Sequence, residues 1–441
     1  MSRVLVNRRT VLGAVAGVVA TPAYANLPQR AVDVAIVGGG SAGISAARSL
    51  VRAGLSTMVV EATSRIGGRC FSDRVTFDVP VDVGAHWIHG AEQNPLAKLG
   101  RDLGFDVYEE DEEDVLFIGD RRASDEEWGA YDRSVDEAEQ ALVRYGWRPE
   151  DGSTLAGLPR DLGDWRSSVM FRLGSYEFGK SLADISSWDF ARAQHSGDML
   201  CRQGFGSLLR ATARGLPIAF NAPVDSVTVS NDEVRLGTSQ GPLRARAAII
   251  TVPIGVLASG RIRFSPGLPD VYTSAVDALA MGSNLRVLLE IRGELSEIGT
   301  DNAIYAKSDN DRTFGAIARV SGTNVWFLDT GGAYARELEA AGDQAAVEAA
   351  VDWLAACFGN DIRRIVARTL VSRWGRSEFC RGGFSVAAPG RSSQRAAFRL
   401  PHADRVFFAG EHRHDTAWGT VGGAWETGEL AAQQAIELLR R

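Results

Sequence analysis

The stretch that decides the fold is Val32-Asp-Val-Ala-Ile-Val37, followed directly by Gly38-Gly-Gly-Ser-Ala-Gly43. The first run is apolar and mostly β-branched, which is typical of a strand buried in a parallel sheet. The glycines with G-x-G-x-x-G spacing are Gly38, Gly40 and Gly43. In that motif they permit a tight turn, a close approach of pyrophosphate and the packing of helix on strand. A helix N-terminus at Ser41 and Ala42 is therefore predicted to bind phosphates.

The residues that follow complete a βαβ unit. A helix is expected through Leu50 until Gly54 ends it, and a second strand from Ser56 to Val60 leads to Glu61. An acidic residue about twenty positions after the glycines hydrogen-bonds ribose hydroxyls in such folds and disfavours a 2′-phosphate. The predicted fold class is α/β, with a Rossmann-like dinucleotide-binding domain.

Beyond Glu61 the chain resembles a known family. Five motifs carry the resemblance: Arg65-Ile-Gly-Gly-Arg69; Asp82-Val-Gly-Ala-His-Trp-Ile-His-Gly90; Thr251-Val-Pro-Ile-Gly-Val-Leu257; Arg373-Trp-Gly375 with Gly382-Gly-Phe-Ser385; and Phe408-Ala-Gly-Glu411 with Thr420-Val421. They are similar to those of the flavin-containing amine oxidases, which include monoamine, polyamine and spermine oxidases and the histone lysine demethylases. The second motif most resembles the polyamine and spermine oxidase branch.

The resemblance implies FAD as the cofactor. The residues expected to bind it, besides the glycines, Ser41, Ala42 and Glu61, are Ala62, Gly68, Arg69, Ala85, His86, Trp87, Val224, Trp374, Gly410, Glu411, Thr420 and Val421. Thr420 would begin a last helix whose positive end stabilises the negative charge of reduced flavin. Monoamine oxidases attach the flavin to a cysteine, and Phe384 occupies that position here, so FAD binding is predicted to be non-covalent.

Four residues are expected to act on the substrate: Arg286, His89, Phe384 and Trp418. Phe384 and Trp418 would flank the amine, although the family's tyrosine aligns with Ala417, one position before Trp418. His89 would bind a distal substrate nitrogen or merely cap the turn at Gly90. Arg286 stands where the family has a lysine that holds a water near the flavin. Arginine is planar and bulkier, which predicts slow reoxidation by oxygen, and it is an alternative partner for a substrate carboxylate.

The function that these residues indicate is FAD-dependent oxidation of an amine, with polyamines favoured. The resulting imine hydrolyses to an aldehyde and an amine, and oxygen or another acceptor reoxidises the flavin. An L-amino acid oxidase remains open, although Trp87 stands where those enzymes carry an arginine. A desaturase of the carotenoid or porphyrin type and a non-catalytic flavin-binding protein are further alternatives.

Composition limits the partners and the number of domains. With 441 residues, 45% of them hydrophobic, the chain is expected to form two or three domains. A net charge of −7 argues against a nucleic-acid partner. No metal is expected, because Cys70, Cys201, Cys357 and Cys380 lack metal-site spacing and His412 and His414 lack suitably spaced carboxylates. A disulfide stays open in an oxidising compartment, but a chain of this size does not need one, and the cysteines are expected rather to be buried or idle.

The chain begins with a predicted export signal over residues 1–25. Arg8-Arg9, the apolar run Val11–Ala20 and Ala23-Tyr-Ala25 are the parts of a cleavable signal of the twin-arginine type. No later run reaches the about 18 apolar residues needed to cross a bilayer, so no membrane anchor is expected. This interpretation predicts a periplasmic or secreted enzyme.

The mature chain is predicted to have two interleaved domains. Residues 26–90, 205–285 and 395–441 would form the FAD-binding domain, and residues 91–204 and 286–394 a substrate-binding domain with a mixed sheet. A helical insertion is expected at about 106–200. Its acidic run at 109–114 is either a solvated helix face or an attractor for polycations.

Overall fold

The computed structural model describes residues 27–109, 114–193, 197–293, 295 and 298–441, and every structural statement below concerns those residues. The predicted export signal and residues 110–113 of the acidic run lie outside them. Of the helices in these ranges, none combines the length and the apolarity needed to cross a membrane.

Two large sheets and the helices around them make up the described chain. The strands in chain order are β1 (Val32–Val37), β2 (Thr57–Val60), β3 (Ser72–Asp73), β4 (Val81–Asp82), β5 (Val107–Glu109), β6 (Val115–Ile118), β7 (Arg121–Arg122), β8 (Met199–Cys201), β9 (Ile218–Ala219), β10 (Val224–Ser230), β11 (Glu233–Thr238), β12 (Gly241–Ile250), β13 (Arg263–Ser265), β14 (Asn284–Ile291), β15 (Ala303–Ala306), β16 (Gly315–Ile317), β17 (Val325–Gly331), β18 (Val366–Val371) and β19 (Val406–Phe408). The α-helices are α1 (Ser41–Arg52), α2 (Pro95–Asp102), α3 (Asp125–Gly146), α4 (Arg166–Met170), α5 (Ser187–Arg192), α6 (Phe205–Thr212), α7 (Ile254–Ala258), α8 (Asp270–Ala278), α9 (Gly332–Ala341), α10 (Asp343–Phe358) and α11 (Val421–Arg440).

The first sheet has eight strands in the order β13-β10-β11-β12-β1-β2-β9, with β19 also paired to β12. The pairs of β1 with β2 and β12, of β2 with β9 and of β12 with β19 are parallel. Helices α1 and α11 lie together on one face, where Ser45 Oγ donates to the carbonyl of Trp425 over 2.6 Å. Gly428 permits this approach, because a Cβ there would overlap Ser45 and Ala42. The parallel centre confirms the predicted α/β fold class.

The second sheet has seven strands in the order β18-β14-β17-β16-β15-β6-β7. Its pairs are antiparallel except β6 with β15. Helix α10 packs against one face of this sheet, and its buried Ala346, Ala350 and Leu354 join the core there. The opposite face looks into the large cavity described below.

The predicted helical insertion begins later than expected. Helix α3 starts after Ser124, whose hydroxyl and Glu127 form a capping box. Before it, β5 pairs with β8 and β6 joins the second sheet, so the prediction of helix from residue 106 is wrong for this part. The apolar run Val115–Ile118 is rich in residues favoured in strands. The helix was predicted instead because the acidic residues before this run are typical of a solvated helix.

Candidate active site

A single cavity of about 670 Å³ brings together segments that are far apart in the sequence. It is lined by all but one of the predicted site residues: Gly38, Gly40, Ser41, Ala42, Glu61, Ala62, Gly68, Arg69, Ala85, His86, Trp87, His89, Val224, Arg286, Trp374, Phe384, Gly410, Glu411, Trp418, Thr420 and Val421. The exception is Gly43, which packs against the turn: a Cβ there would overlap the carbonyl oxygen of Gly38. That contact fits the third glycine's expected role in helix packing.

The first turn of α1 is suited to an anion. Among the described residues no side chain caps its N-terminus, and no acidic residue lies in its first turn. Gly38 has φ +108°, and a Cβ built on Gly40 would meet nothing within 4 Å, so the backbone remains open on the cavity side. Uncapped N–H groups at a helix N-terminus bind phosphate oxygens. These residues therefore fit a dinucleotide pyrophosphate.

Glu61 fixes the geometry of this glycine turn. One carboxylate oxygen accepts from the N–H of Gly39 at 2.8 Å, and the other accepts from the backbone and hydroxyl of Thr63 at 2.9 and 2.7 Å. Glu61 is buried but still lines the cavity. Its two oxygens keep acceptor capacity for ribose hydroxyls, because a carboxylate offers about four lone-pair sites.

Glu411 is the centre of a second group of polar residues. Its carboxylate accepts from Arg69 at 2.9 Å, from the Ser385 hydroxyl at 2.7 Å and from the N–H of Gly419 at 3.2 Å. Burial disfavours the ionised form, but the charges of Arg69 and Arg395 and the hydrogen bond from Ser385 act together with His412 to hold the pKa of Glu411 below its ordinary value. Glu411 thus ties the C-terminal motif to the arginine expected to neutralise the pyrophosphate.

Helix α11 begins at the cavity with a capped N-terminus. The hydroxyl of Thr420 accepts from the N–H of Gly423 at 2.9 Å, as expected of an N-cap residue. Thr420, Val421 and Ala424 line the cavity. The positive end of the helix dipole is therefore directed at this part of the site.

The segment from Val83 to Trp87 lines the cavity, and Asp82 supports it from behind through hydrogen bonds. Asp82 accepts from His86 Nδ1 at 2.9 Å and from the N–H of Phe205 at 3.0 Å, at the start of α6. His86 is buried, and its Nε2 has no hydrogen-bond partner among the described residues. A buried polar atom without a partner is rare in native proteins, so this atom beside the cavity fits a site that takes a polar ligand.

Arg286 lies in β14 and is nearly fully buried. Its Nε and Nη2 donate to the two carboxylate oxygens of Asp329 at 2.8 and 2.7 Å, and Nη1 donates to the carbonyls of Asp82 and Gly84 at 3.1 and 2.8 Å. Burial would lower the pKa of Arg286, but the charge and hydrogen bonds of Asp329, together with the nearby Tyr176 and Asp82, raise that pKa above its ordinary value. The arginine at the family's lysine position is therefore already bound by the protein itself.

The two predicted aromatic residues differ in their surroundings. Phe384 is half-buried and rests against Gly419, where a built Cβ would lie 3.1 Å from its ring. Trp418 is only 4% exposed, and its ring packs on Phe178 with centroids 5.4 Å apart and under the guanidinium of Arg395 at 4.9 Å. Both line the cavity, but the contacts of Trp418 indicate mainly a packing role.

His89 lies in the more exposed part of the cavity. Its Nδ1 is 2.9 Å from a carboxylate oxygen of Asp198, and its ring stacks on Trp87 with centroids 6.5 Å apart. The side chain is 37% exposed, so it is accessible to a substrate. His414, by contrast, bonds to Glu426, and the buried His412 contacts Phe398, so the two histidines do not form a pair.

Several residues that line the cavity could not be recognised from the sequence. Tyr176 and Arg172 come from a π-helical turn, Phe171–Tyr176, and the Arg172 guanidinium lies 4.4 Å from the ring centre of Tyr305. π-Helical turns are frequent at functional sites, but nothing in the local sequence signals one. Asp329 was missed because it faces Arg286 only through the pairing of β14 with β17, which the strand patterns alone do not specify.

Comparison with known proteins agrees with this geometry. A family model described as flavin containing amine oxidoreductase matches residues 41–436. The chain belongs to this family. Polyamine oxidase 2 of Arabidopsis thaliana is 28% identical over 442 aligned positions, covering 92% of this chain and 88% of that relative.

Solved structures show the same fold. Cyclohexylamine oxidase from Brevibacterium oxydans IH-35A has a TM-score of 0.79 at 22% identity and covers 93% of this chain and all of its own. A putrescine oxidase solved with putrescine bound has a TM-score of 0.76 at 20% identity, over 94% of this chain and all of that one. The family assignment confirms the predictions of an enzyme and of a flavin, and the residues around α1 and α11 fit such a cofactor.

Proposed function

We propose that this enzyme binds FAD non-covalently and oxidises a di- or polyamine. The observation that carries the proposal is the charge of the cavity wall: among the described residues, seven carboxylates and five arginines line it, and no lysine does. Four of those carboxylates, Asp114, Glu177, Asp198 and Asp301, come from segments outside the motifs expected to bind FAD. A carboxylate-rich cavity attracts a polycation and favours its binding.

The similarity to polyamine oxidases supports the same substrate class. The rival, an L-amino acid oxidase, would need a cation available for the substrate carboxylate. Arg286 is the candidate for that role, but it already holds Asp329 through two hydrogen bonds. A carboxylate entering the cavity would have to displace this contact, which disfavours an amino acid.

The chain's own residues orient the substrate and limit its access to water. Phe384 offers an aromatic face beside the cavity, and such faces bind amines through packing and cation–π attraction. His89 and Asp198 are positioned to accept hydrogen bonds from a distal nitrogen. The bound flavin supplies a two-electron acceptor for the C–H bond next to the amine nitrogen. The resulting imine then takes up water and separates into an aldehyde and an amine.

Anaerobic mixing of the holoenzyme with a spermidine, monoamine or amino acid solution tests the substrate class. We expect spermidine to bleach the flavin absorbance fastest, whereas faster bleaching by the amino acid would contradict the proposal.

Glu177→Gln should raise the KM for spermidine about fivefold and that for a monoamine less, because the lost attraction between half-solvated charges is about 1 kcal/mol. Glu150→Gln, an exposed change outside the cavity, is the matched control.

Non-covalent attachment rests on Phe384 at the position of the flavin-carrying cysteine. The four cysteines are buried and free, and burial raises the pKa of Cys70, Cys201 and Cys357. Cys380 lines the cavity but lies four positions from that site. Acid or heat precipitation should leave all the flavin in the supernatant, and yellow precipitate would contradict the prediction.

We also propose export by the twin-arginine route. The support is the sequence of residues 1–25 alone. The mature protein should begin at Asn26, and changing Arg8-Arg9 to Lys-Lys should retain it in the cytoplasm. N-terminal sequencing of the exported protein decides this, since a retained Met1 would contradict cleavage.

A further inference from the structure

A row of polar residues crosses the second sheet on its cavity side. Arg286 in β14 pairs with Asp329 in β17, and Asp329 pairs in turn with Gly315 in β16. Directly paired residues of neighbouring strands project to the same face. Gly315 has no side chain, and the ring of Tyr176 takes that space, 2.5 Å from where a Cβ would lie. Asp329 is thus enclosed between the arginine and this tyrosine.

The guanidinium of Arg286 has almost no spare hydrogen-bond donor. Of its five N–H groups, one on Nε and one on Nη2 go to Asp329, and both on Nη1 go to the carbonyls of Asp82 and Gly84. The Arg286 and Asp329 side chains are 9% and 17% exposed. Water therefore screens this pair little, and each charge would act strongly on the cavity if the other were removed.

The flat faces of Arg286 contact aromatic rings. Its guanidinium carbon lies 4.1 Å from the ring centre of Phe327 and 5.5 Å from that of Trp87. Together with the two carbonyls, these contacts hold the guanidinium against the segment that lines the cavity. The position of the arginine is over-determined, so Asp329 is not needed merely to keep it there.

We propose that Asp329 is a specificity-determining residue that cancels the charge of Arg286, so that a cationic amine can bind beside a guanidinium that would otherwise repel it. This inference rests on the proposed amine oxidation. A neutralised arginine also contributes little net positive charge to reduced flavin. The pair thus acts as one neutral unit in the cavity wall.

Single and double variants of the holoenzyme test this charge cancellation. Asp329→Asn keeps the size of the side chain but exposes the cavity to the charge of Arg286. We expect the KM for spermidine to rise roughly ten- to hundredfold, as two charges a few ångströms apart in a poorly hydrated site imply. The flavin reduction potential, measured without substrate, should shift upward, because the uncancelled charge stabilises reduced flavin.

Arg286→Gln should shift both quantities the other way, giving a lower flavin potential and a lower KM for spermidine. The double variant should bring the KM back to within about threefold of the wild type and the flavin potential back close to the wild-type value, because neither charge of the pair then remains. Glu378→Gln is the matched control: it removes the carboxylate from Arg261 at the solvent-exposed margin of the cavity, and a small change is expected.

A purely structural pair would behave differently. Both single variants would then weaken flavin binding and raise the KM together, with no recovery in the double variant, and that result would overturn the proposal. If Asp329→Asn does not retain flavin, the Arg286→Gln variant alone tests the proposal. Weaker binding of spermidine by that variant than by the wild type would contradict it. If no amine reduces the wild-type flavin, the proposed function fails. The charge cancellation can still be tested, because the flavin reduction potential should rise in Asp329→Asn and fall in Arg286→Gln.

Discussion

The two ends of the cavity differ in whether the protein leaves hydrogen-bond donors open. At the end formed by the eight-stranded sheet, Arg69 pairs with Glu411, but helix α1 begins without a side-chain cap among the described residues, and Gly40 leaves the backbone open. At the end formed by the seven-stranded sheet and the segments beside it, Arg286, Arg172 and His89 each have an aspartate within 3.5 Å.

This difference follows from how long each ligand stays. A cofactor that remains bound can satisfy donors that the protein leaves open. A substrate comes and goes, and a buried charge left without a partner after each departure would be costly. Pairing the charges within the protein avoids that cost. The net charge of the cavity, rather than one unpaired ionic group, then determines which substrate binds.

The largest expected effect concerns Trp418, a buried residue of the cavity lining. Because it is packed on Phe178 and Arg395, Trp418→Ala should lower the free energy of unfolding by about 3–5 kcal/mol. Chemical denaturation of the holoenzyme measures this loss. Trp147→Ala changes a tryptophan that is 62% exposed and is the control. Equal losses in both variants would contradict a packing role for Trp418.

Gly43→Ala should disturb the cofactor end alone. The added methyl group would overlap the carbonyl of Gly38, and overpacking of this kind costs about 1–3 kcal/mol. We expect a lower melting temperature and weaker FAD retention. Gly40→Ala adds its methyl group to open space instead, so it should weaken FAD binding without lowering the stability of the apoprotein. A loss of apoprotein stability in Gly40→Ala, with none in Gly43→Ala, would contradict both assignments.

His412 links the cofactor end to acid stability. Burial lowers its pKa to about 4, below the ordinary value of about 6.5, and neither ring nitrogen has a partner among the described residues. Between these two values the unfolded chain binds the extra proton, so stability is lost as the pH falls from about 6.5 to 4. The contribution should reach about 2 kcal/mol at pH 5.

Thermal unfolding of wild type and His412→Gln between pH 7.5 and 5 measures this contribution. The variant should lose less stability than the wild type over this interval. His414→Gln serves as the control, because His414 is bonded to Glu426 outside the buried site. An unchanged slope in His412→Gln would show that other groups cause the acid sensitivity.

The smallest effect is expected at the substrate end. Phe384→Ala removes an aromatic face worth about 0.5–2 kcal/mol to amine binding. The KM should rise roughly two- to thirtyfold, with FAD retained and little change in melting temperature. Steady-state kinetics beside a flavin assay check this, and loss of FAD without a change in KM would assign Phe384 to the cofactor instead.

Most of the cofactor end could be predicted from the sequence. The βαβ unit, Glu61 after β2 and the helix that begins beyond Thr420 all appear where the local pattern indicated them. These features depend on short-range causes: the period of apolar residues, the conformational freedom of glycine and the capping of a helix. Each is encoded within a few residues, so a single chain is enough to recognise it.

The substrate end was decided by tertiary structure. Arg286 faces Asp329 because β14 pairs with β17 in one register, across more than thirty intervening residues. The π-helical turn at Phe171–Tyr176 fits against Gly315 and Gly331, which leave room for it. Strand register and the fit of one segment on another depend on the packing of the whole core. For that reason the sequence by itself determined the flavin-binding fold and the family, and only the folded chain decided which charges in the cavity cancel.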